Sequence, residues 1–524
     1  MTNTTATGKT PVLEVSNLSI SFRMYDRGFR KRTSRVISDL SVSIAEGKIL
    51  AVVGASGSGK SLLAHAVLGI LPENASVEGE MKYYGQTLSA HLQESIRGSQ
   101  MALVPQSVSY FNPLMRMKFQ ILGTTGAEER MKSILERYGL DENFGRLYPF
   151  QLSGGMTRRA LIATAVIGNP KLVIADEPTP GLTPELAHET MNQFKELAAQ
   201  GCAIMLITHD IDLAFQYADD VAVLYEGVTV DTIPSSDFKS GKEKLKHPYS
   251  RALWEAMPQN EFRFMPQKEI RHMIASQDIR GESAENMPVQ VPAIWKDPAW
   301  SDRFPKTTAN ASRNNAKLEA QRVGFRYGGK GVWILKDIDL AIEPGERVGL
   351  VGPSGCGKST LSKLLSGYET PTSGQVLWNG EMLPQSGYCP VQMIYQHPEM
   401  AVDINKKMQS ALCEGWIPDT ELLEAIEIRP EWLTRWPTEL SGGELQRVCV
   451  ARALGPQTKF LLADEMSTML DVITQAQIWN VVLDIVKKRN IGLLVVTHNE
   501  ALAKRVCTRM IDLTKLNRIC SCSS

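Results

Sequence analysis

Apolar residues in this chain come in short unbroken runs rather than long alternating stretches: "KILAVVG" (48–54), "KLVIAD" (171–176) and "CAIMLIT" (202–208). Runs of this length, separated by stretches with helical spacing, predict strands buried on both faces: a mostly parallel sheet covered by helices. The pattern then returns. "VVGASGSGKS" (52–61) recurs as "LVGPSGCGKS" (350–359). "QLSGGMTRRALIATAVIGNPKLVIADE" recurs as "ELSGGELQRVCVARALGPQTKFLLADE", and "LITHD" (206–210) as "VVTHN" (495–499). Equivalent residues (Lys60 and Lys358, Ser153 and Ser441, His209 and His498) lie roughly 290 residues apart, which marks a domain duplication rather than an array of short repeats. Between the copies, residues 263–315 are rich in Pro, Asn, Ser and Thr and lose periodicity, as a partly ordered linker would. The expected layout is a first domain over 1–262, a linker over 263–315 and a second domain over 316–524.

Composition narrows the class. The 524 residues suffice for two cores, and 43% hydrophobic with 22% charged residues is ordinary for a soluble protein. Lys+Arg and Asp+Glu both number 57, so no global field favours nucleic acid. The basic run "RGFRKRTSR" (Arg27–Arg35) is expected to be a solvated loop. No window approaches the ~18–20 continuous apolar residues of a membrane span, and "MTNTTATGKT" at the start lacks the apolar core of a secretory signal. Eight scattered cysteines fit a reducing cytoplasm. Cys520 and Cys522 in the closing "CSC" are either a metal pair or part of a frayed tail, the tail being the simpler expectation.

The chemistry lies in the repeated motifs. Gly54-x4-Gly59-Lys60-Ser61 and Gly352-x4-Gly357-Lys358-Ser359 fit the phosphate-binding loop, each after an apolar strand and before a helix. Loop residues Ser56, Gly57 and Ser58, and Ser354, Gly355 and Cys356, would present backbone N–H groups to phosphate oxygens, backed by the positive helix end. Lys60 and Lys358 would neutralise terminal-phosphate charge, while Ser61 and Ser359 would reach Mg²⁺. Asp176 and Asp464 end apolar strands where a carboxylate can hold Mg²⁺. Glu177 and Glu465 follow, placed to polarise a water for attack on the γ-phosphate.

"LSGGM" and "LSGGE" upstream of these acidic strands resemble the signature of ATP-binding cassette (ABC) ATPases, and the resemblance covers both halves. It implies two tandem P-loop NTPase domains of α/β class, each with a mainly parallel core sheet, an antiparallel β subdomain and a helical subdomain carrying the signature. It implies further that Gln106 and Gln396 are catalytic and Mg²⁺-contacting Q-loop residues. His209 and His498 would be switch histidines, and Phe22 and Tyr327 aromatic platforms for adenine. In such proteins the two halves form an intramolecular head-to-tail dimer. Each ATP–Mg²⁺ would be shared between one half's phosphate loop and the other's signature, Ser153-Gly154-Gly155 or Ser441-Gly442-Gly443.

Within the family, "NPLMRM" after Gln106, "LSGGMTRR" and "HPYSRAL" (247–253) resemble the ATPase subunits of peptide and nickel importers, although "HPYSRAL" also reads as a plain helix start. The importer resemblance implies a peripheral ATPase on the cytoplasmic face of the membrane. It would dock on two separate permease subunits fed by an extracytoplasmic solute-binding protein, importing peptide, nickel or a metal chelate. The segment "HPEMAVDINKK" after Gln396 departs from the usual pattern of that group. Peptide-transporting relatives often carry a cysteine-bound iron–sulfur cluster after the first domain. No cysteine stands between Cys202 and Cys356, so none is expected. The rival reading is a soluble tandem ABC ATPase acting on ribosomes, DNA or an enzyme complex. Neutral net charge and short gaps between motifs argue against it. One substitution separates the copies: Thr183 stands where the second has Asp471, in the segment the resemblance identifies as the D-loop. Either the lost carboxylate makes the two ATP sites unequal, or threonine's hydroxyl substitutes for it.

Overall fold

The computed structural model describes residues 10–519 except 26–30, 56, 107–109, 124–127, 180, 181, 183, 267, 268, 271, 275–316, 329, 330, 469 and 518. Ser56, Thr183, the Cys520/Cys522 pair and most of the expected linker therefore lie outside the described residues. The unbroken apolar runs form strands with every residue buried: Ile49–Gly54, Leu172–Asp176 and Ala203–Ile207 early in the chain, Phe460–Asp464 and Gly492–Val496 later. Burial on both faces is what permits a run without polar alternation.

Two units divide the chain, Met1–Trp254 and Glu255–Ser524. Strands of the first are β1 (Leu13–Tyr25), β2 (Lys31–Ile44), β3 (Ile49–Gly54), β4 (Ala75–Tyr83), β5 (Gln86–Thr87), β6 (Met101–Val104), β7 (Leu172–Asp176), β8 (Ala203–Ile207), β9 (Asp220–Tyr225) and β10 (Val228–Pro234). They make one ten-stranded sheet in the order β5-β4-β1-β2-β10-β9-β3-β8-β7-β6. From β9 to β6 the pairs are parallel, while β1, β2 and β4 form an antiparallel wing. Wing and core join through the β9–β10 hairpin. Its turn residues Glu226 and Gly227 both have positive φ (47° and 81°), matching a two-residue type I′ loop. Val228 then pairs with Asp39 of β2.

The second unit repeats this plan with a difference. Its strands are β11 (Leu318–Phe325), β12 (Leu335–Ile342), β13 (Arg347–Val351), β14 (Ser373–Trp378), β15 (Glu381–Met382), β16 (Val391–Ile394), β17 (Phe460–Asp464), β18 (Gly492–Val496) and β19 (Arg509–Asp512). They form two sheets, an antiparallel β12-β11-β14-β15 and a parallel β16-β17-β18-β13-β19. After β19 the chain passes into the helix Leu513–Leu516, where the first unit turns back as β10. Among the described residues no strand therefore bridges the second unit's wing to its core. Each unit also carries a helical insertion ending in the helix that opens at the signature, Gly154–Val166 or Gly442–Ala453.

Two local outcomes refine the sequence reading. The basic run expected as a loop enters β2 instead: Lys31–Arg35 pair with Ser21–Tyr25 of β1, and only the solvent exposure matches the expectation. "HPYSRAL" begins the helix Pro248–Ala256, whose Tyr249 is buried against the Tyr225 ring at 4.6 Å and whose Ser250 hydroxyl donates to Asp231 Oδ2 at 2.8 Å. The segment after it belongs to the second unit, where Asn480 Nδ2 donates to the Phe262 carbonyl at 3.2 Å.

The β9–β10 turn gives a test of the first unit's construction. A Cβ at Gly227 would press on the Val36 carbonyl while φ stays positive. Gly227→Val is expected to cost on the order of 2 kcal/mol and to lower the unfolding temperature, read by thermal denaturation of the full chain.

Candidate nucleotide and magnesium site

The site begins where a buried strand stops and a helix starts. In the first unit β3 ends at Gly54, and Lys60–Leu68 begins behind Gly59, a left-handed N-cap at φ 94°. The second unit repeats this with Gly357 at φ 102° before Lys358–Leu365. A Cβ at Gly59 would lie 2.7 Å from Ile37, and one at Gly357 2.8 Å from Leu335, so glycine is required for space as well as for φ. By contrast, a Cβ at Gly57 or Gly355 would meet nothing within 4 Å, so the open side of each loop is free for phosphate.

Both lysines are buried, and each ammonium is tied to two loop carbonyls. Lys60 Nζ donates to Gly54 O and Ala55 O at 2.9 Å each. Lys358 Nζ donates to Gly352 O at 2.8 Å and Pro353 O at 2.9 Å. These neutral acceptors hold a positive charge at the loop mouth without cancelling it, which suits an anion.

The acidic pair sits at the end of the next-but-one core strand. Ser61 Oγ donates to Asp176 Oδ1 at 3.3 Å, and Ser359 likewise bonds Asp464. Burial pushes both aspartate carboxyls up, partly offset by these serine bonds and by the nearby lysines. Asp464 Oδ1 is buried with no hydrogen-bond partner. In each unit a serine hydroxyl beside an aspartate carboxylate, with one carboxylate oxygen unpartnered in Asp464, forms a hard-oxygen pair that fits Mg²⁺. Asp176 and Ser61, and Asp464 and Ser359, would hold it. When bound, the ion would screen phosphate charge.

The glutamates are held by strain and by two partners each. Glu177 and Glu465 have φ of 46° and 49°, and their N–H groups donate to Ile207 O at 2.8 Å and Val496 O at 2.9 Å. A bulky residue at positive φ is costly unless the surroundings impose it, and such positions cluster at reactive sites. Glu177 Oε1 lies 3.1 Å from His209 Nδ1, and its Oε2 accepts from Gln106 Nε2 at 3.0 Å. Glu465 Oε1 lies 2.9 Å from His498 Nε2, and its Oε2 accepts from Gln396 Nε2 at 2.8 Å. Burial alone would raise the Glu177 carboxyl, but His209, Lys60 and Gln106 together hold it below its ordinary value. Burial disfavours charge on His209, yet Glu177 raises its pKa above the ordinary value. Each unit thus presents a carboxylate able to orient a water, with a histidine and an amide beside it. Because Nε2 makes the bond to glutamate, the amide Oε1 of Gln106 and of Gln396 is the end suited to a cation.

The structure thus gathers the phosphate loop, Asp, Glu, His and Gln within each unit. The signature serines stand elsewhere, at exposed helix starts. Ser153 Oγ accepts from Met156 N, and Ser441 forms a capping box with Glu444. Among the described residues no hydrogen bond joins either serine to its own unit's phosphate loop. Gly154, Gly155, Gly442 and Gly443 form the open first turn, whose free N–H groups favour an anion. Phe22 and Tyr327 occupy matching places, each five residues after a positive-φ residue in the first strand of its unit (Asn17, Arg322). Phe22 packs partly against the core, whereas Tyr327 is 52% exposed and edge-on to Phe325. Asp471 caps the helix Val472–Arg489, its Oδ1 accepting from Thr474 N at 3.1 Å.

Sequence reasoning passes over the residues that hold the glutamine segments. Arg158, buried in the signature helix, donates from Nη1 to Pro105 O at 3.1 Å and Gln106 O at 2.9 Å. Gln446, at the same position in the second unit, donates to Tyr395 O at 3.1 Å. Their signal is a long polar side chain within an otherwise apolar helix. Glu177→Gln and Glu465→Gln are each expected to lower ATP turnover by roughly 10²-fold or more if that half carries catalysis. Steady-state ATPase assays of the two single variants check this. Equal losses would remove any inequality between the halves.

The ABC transporter family model matches residues 37–180 and 335–468. The glutathione import ATP-binding protein GsiA of Escherichia coli (strain K12) is 30% identical over 548 residues, spanning 95% of this chain and 84% of that protein. Its namesake from Shigella dysenteriae serotype 1 (strain Sd197) is 30% identical over 554 residues. Among solved structures, the archaeal ribosome recycling factor aABCE1, in complex with the ribosomal stalk protein aP1, aligns with a TM-score of 0.59 at 20% identity. That alignment covers 94% of this chain and 87% of that one. An RNase-L inhibitor aligns at 0.58, also at 20% identity. Those two likenesses concern the fold. With the repeated phosphate loop, acidic strand end, signature helix and glutamate clamp in place, the chain belongs to the ABC transporter family of ATP-hydrolysing proteins and carries two of its ATPase domains in tandem.

Proposed function

We propose that the chain is the ATPase subunit of an importer, peripheral on the cytoplasmic face of the membrane, powering uptake of a peptide, nickel or metal-chelate cargo through separate permease subunits. The observation that carries this reading is a set of exposed large apolar side chains in the segment that follows the candidate catalytic glutamine of each unit. In the first unit Tyr110, Leu114 and Phe119 are 66%, 87% and 59% exposed. Phe150, 74% exposed, stacks on Tyr148, which Arg116 overlies. In the second unit Met400 and Ile404 are 71% and 57% exposed. Large apolar side chains left exposed within one segment suit an interaction surface.

One such set per unit fits two permease subunits, and its place in the chain after Gln106 and Gln396, which bond the glutamates, would let docking reach them. Similarity to the glutathione import protein favours a small peptide as cargo. Among the described residues no helix is long and apolar enough to cross a membrane, so the membrane path must come from partners if the chain is an importer.

The test is purification of the full chain from membranes with its partners. The Leu114→Ser/Phe119→Ser double variant should lose co-purification with permeases. Its ATP turnover without partners should stay within about twofold of wild type, since the changes add no catalytic defect. Adding a solute-binding protein loaded with peptide, then with nickel chelate, should stimulate ATPase for one cargo class. A chain that purifies from the soluble fraction without permeases, and whose ATPase ignores every loaded binding protein, would sink the importer reading in favour of a cytoplasmic complex.

A further inference from the structure

Arg159 and Arg447 hold the same position in the two signature helices, six residues beyond Ser153 and Ser441. Each begins with the same task. Arg159 Nη1 donates to Tyr138 O at 2.9 Å and Gly139 O at 3.1 Å. Arg447 Nη1 donates to Ile426 O at 2.8 Å and lies 3.2 Å from Glu427 Oε2. The turns they clamp match as well, with Gly139 at φ 59° and Glu427 at φ 55°.

Beyond this point the copies part. Arg447 Nη2 donates to Thr474 Oγ1 at 2.9 Å, and Thr474 Oγ1 in turn donates to Asp471 Oδ2 at 2.9 Å. One turn further along the same helix, Gln477 Nε2 donates to Ala425 O at 2.8 Å. Arg447, Thr474 and Gln477 are 7%, 5% and 2% exposed, so water competes little for these bonds. A hydroxyl accepting from a guanidinium and donating to a carboxylate is polarised from both ends. At the equivalent positions the first unit has Thr183 for Asp471, Leu186 for Thr474 and an exposed Glu189 for Gln477. A leucine side chain neither accepts nor donates, and Arg159 Nε is buried without a partner.

We propose that Arg447, Thr474 and Gln477 are positioning residues that bind the second half's signature helix to the turn carrying Asp471, so that the two respond to nucleotide as one piece. Among the described residues of the first half no such relay runs from Arg159 to the following helix, where the Leu186 side chain offers no hydrogen-bonding group. The difference between the copies is thus a whole buried network, of which Thr183 in place of Asp471 is only the visible end. The proposal rests on reading Ser441-Gly442-Gly443 and Asp471 as ATP-site residues.

The test is a double-mutant cycle on ATP turnover by the full chain, with thermal unfolding as a check on folding. Thr474→Leu and Asp471→Ala are each expected to lower kcat about tenfold, with KM for ATP changed less than about twofold; the double variant should also fall only about tenfold, because the first change already breaks the relay. Thr474→Ser, which keeps the hydroxyl, should stay within about twofold of wild type. A double variant slower by the product of the two single losses, or a Thr474→Leu variant with wild-type kcat, overturns the relay. Amide hydrogen exchange gives a readout that needs no turnover. Exchange across Asp471–Gln477 should speed at least about tenfold in Thr474→Leu. Unchanged exchange there refutes the relay on its own, whereas a wild-type chain that hydrolyses no ATP refutes only the ATP-site reading.

Discussion

A lysine ammonium buried at the mouth of an apolar strand is the constraint from which each half of this protein is built. Such a charge is tolerated only if hydrogen-bonded, and Lys60 and Lys358 each find two carbonyls of their own loop. Meeting that need forces the loop to curl back on the helix start. The curl in turn demands left-handed glycines at Gly59 and Gly357, packed on Ile37 and Leu335 of the antiparallel wing. Because carbonyls carry no net charge, these bonds leave the ammonium's charge uncancelled. Two carboxylates are set nearby, where cation, phosphate and water chemistry meet.

Around this constant centre the copies diverge wherever the phosphate chemistry does not dictate the residue. The first unit ties wing to core with a hairpin strand, whereas the second ends its core strand in a short helix and keeps two sheets. The second caps its signature helix with a Ser441–Glu444 box where the first has Met156. It also commits a buried arginine, threonine and glutamine to binding that helix to the next. Polar networks of this kind add geometric definition more than net stability, since desolvation offsets much of their energy. Among the described residues this network occurs in the second half alone, which fits unequal duties better than unequal folding needs.

Motif spacing alone makes the catalytic cluster legible. Strand runs, phosphate loop, acidic strand end and histidine are local signals, and Glu177 with His209 or Glu465 with His498 come together because neighbouring parallel strands end at one edge. Less legible is what depends on distant pairing. Nothing local in "KRTSR" reveals that it pairs with β1. Likewise, nothing in "DVITQAQ" announces that Thr474 meets Arg447, where the first unit has a leucine side chain without a hydrogen-bonding group.

By itself, then, the sequence determined a duplicated phosphate-loop ATPase, the candidate carboxylates for its metal and water, and the family to which it belongs, because those needs act over a few residues and admit few residue types. Tertiary structure alone decided which side chains clamp those groups and how each half closes its sheets. It also decided that Asp471 is the end of a buried relay rather than a lone cap. Hydrogen bonds between residues far apart in the chain leave no period or spacing to read, and only the packed fold brings their partners within about 3 Å of one another.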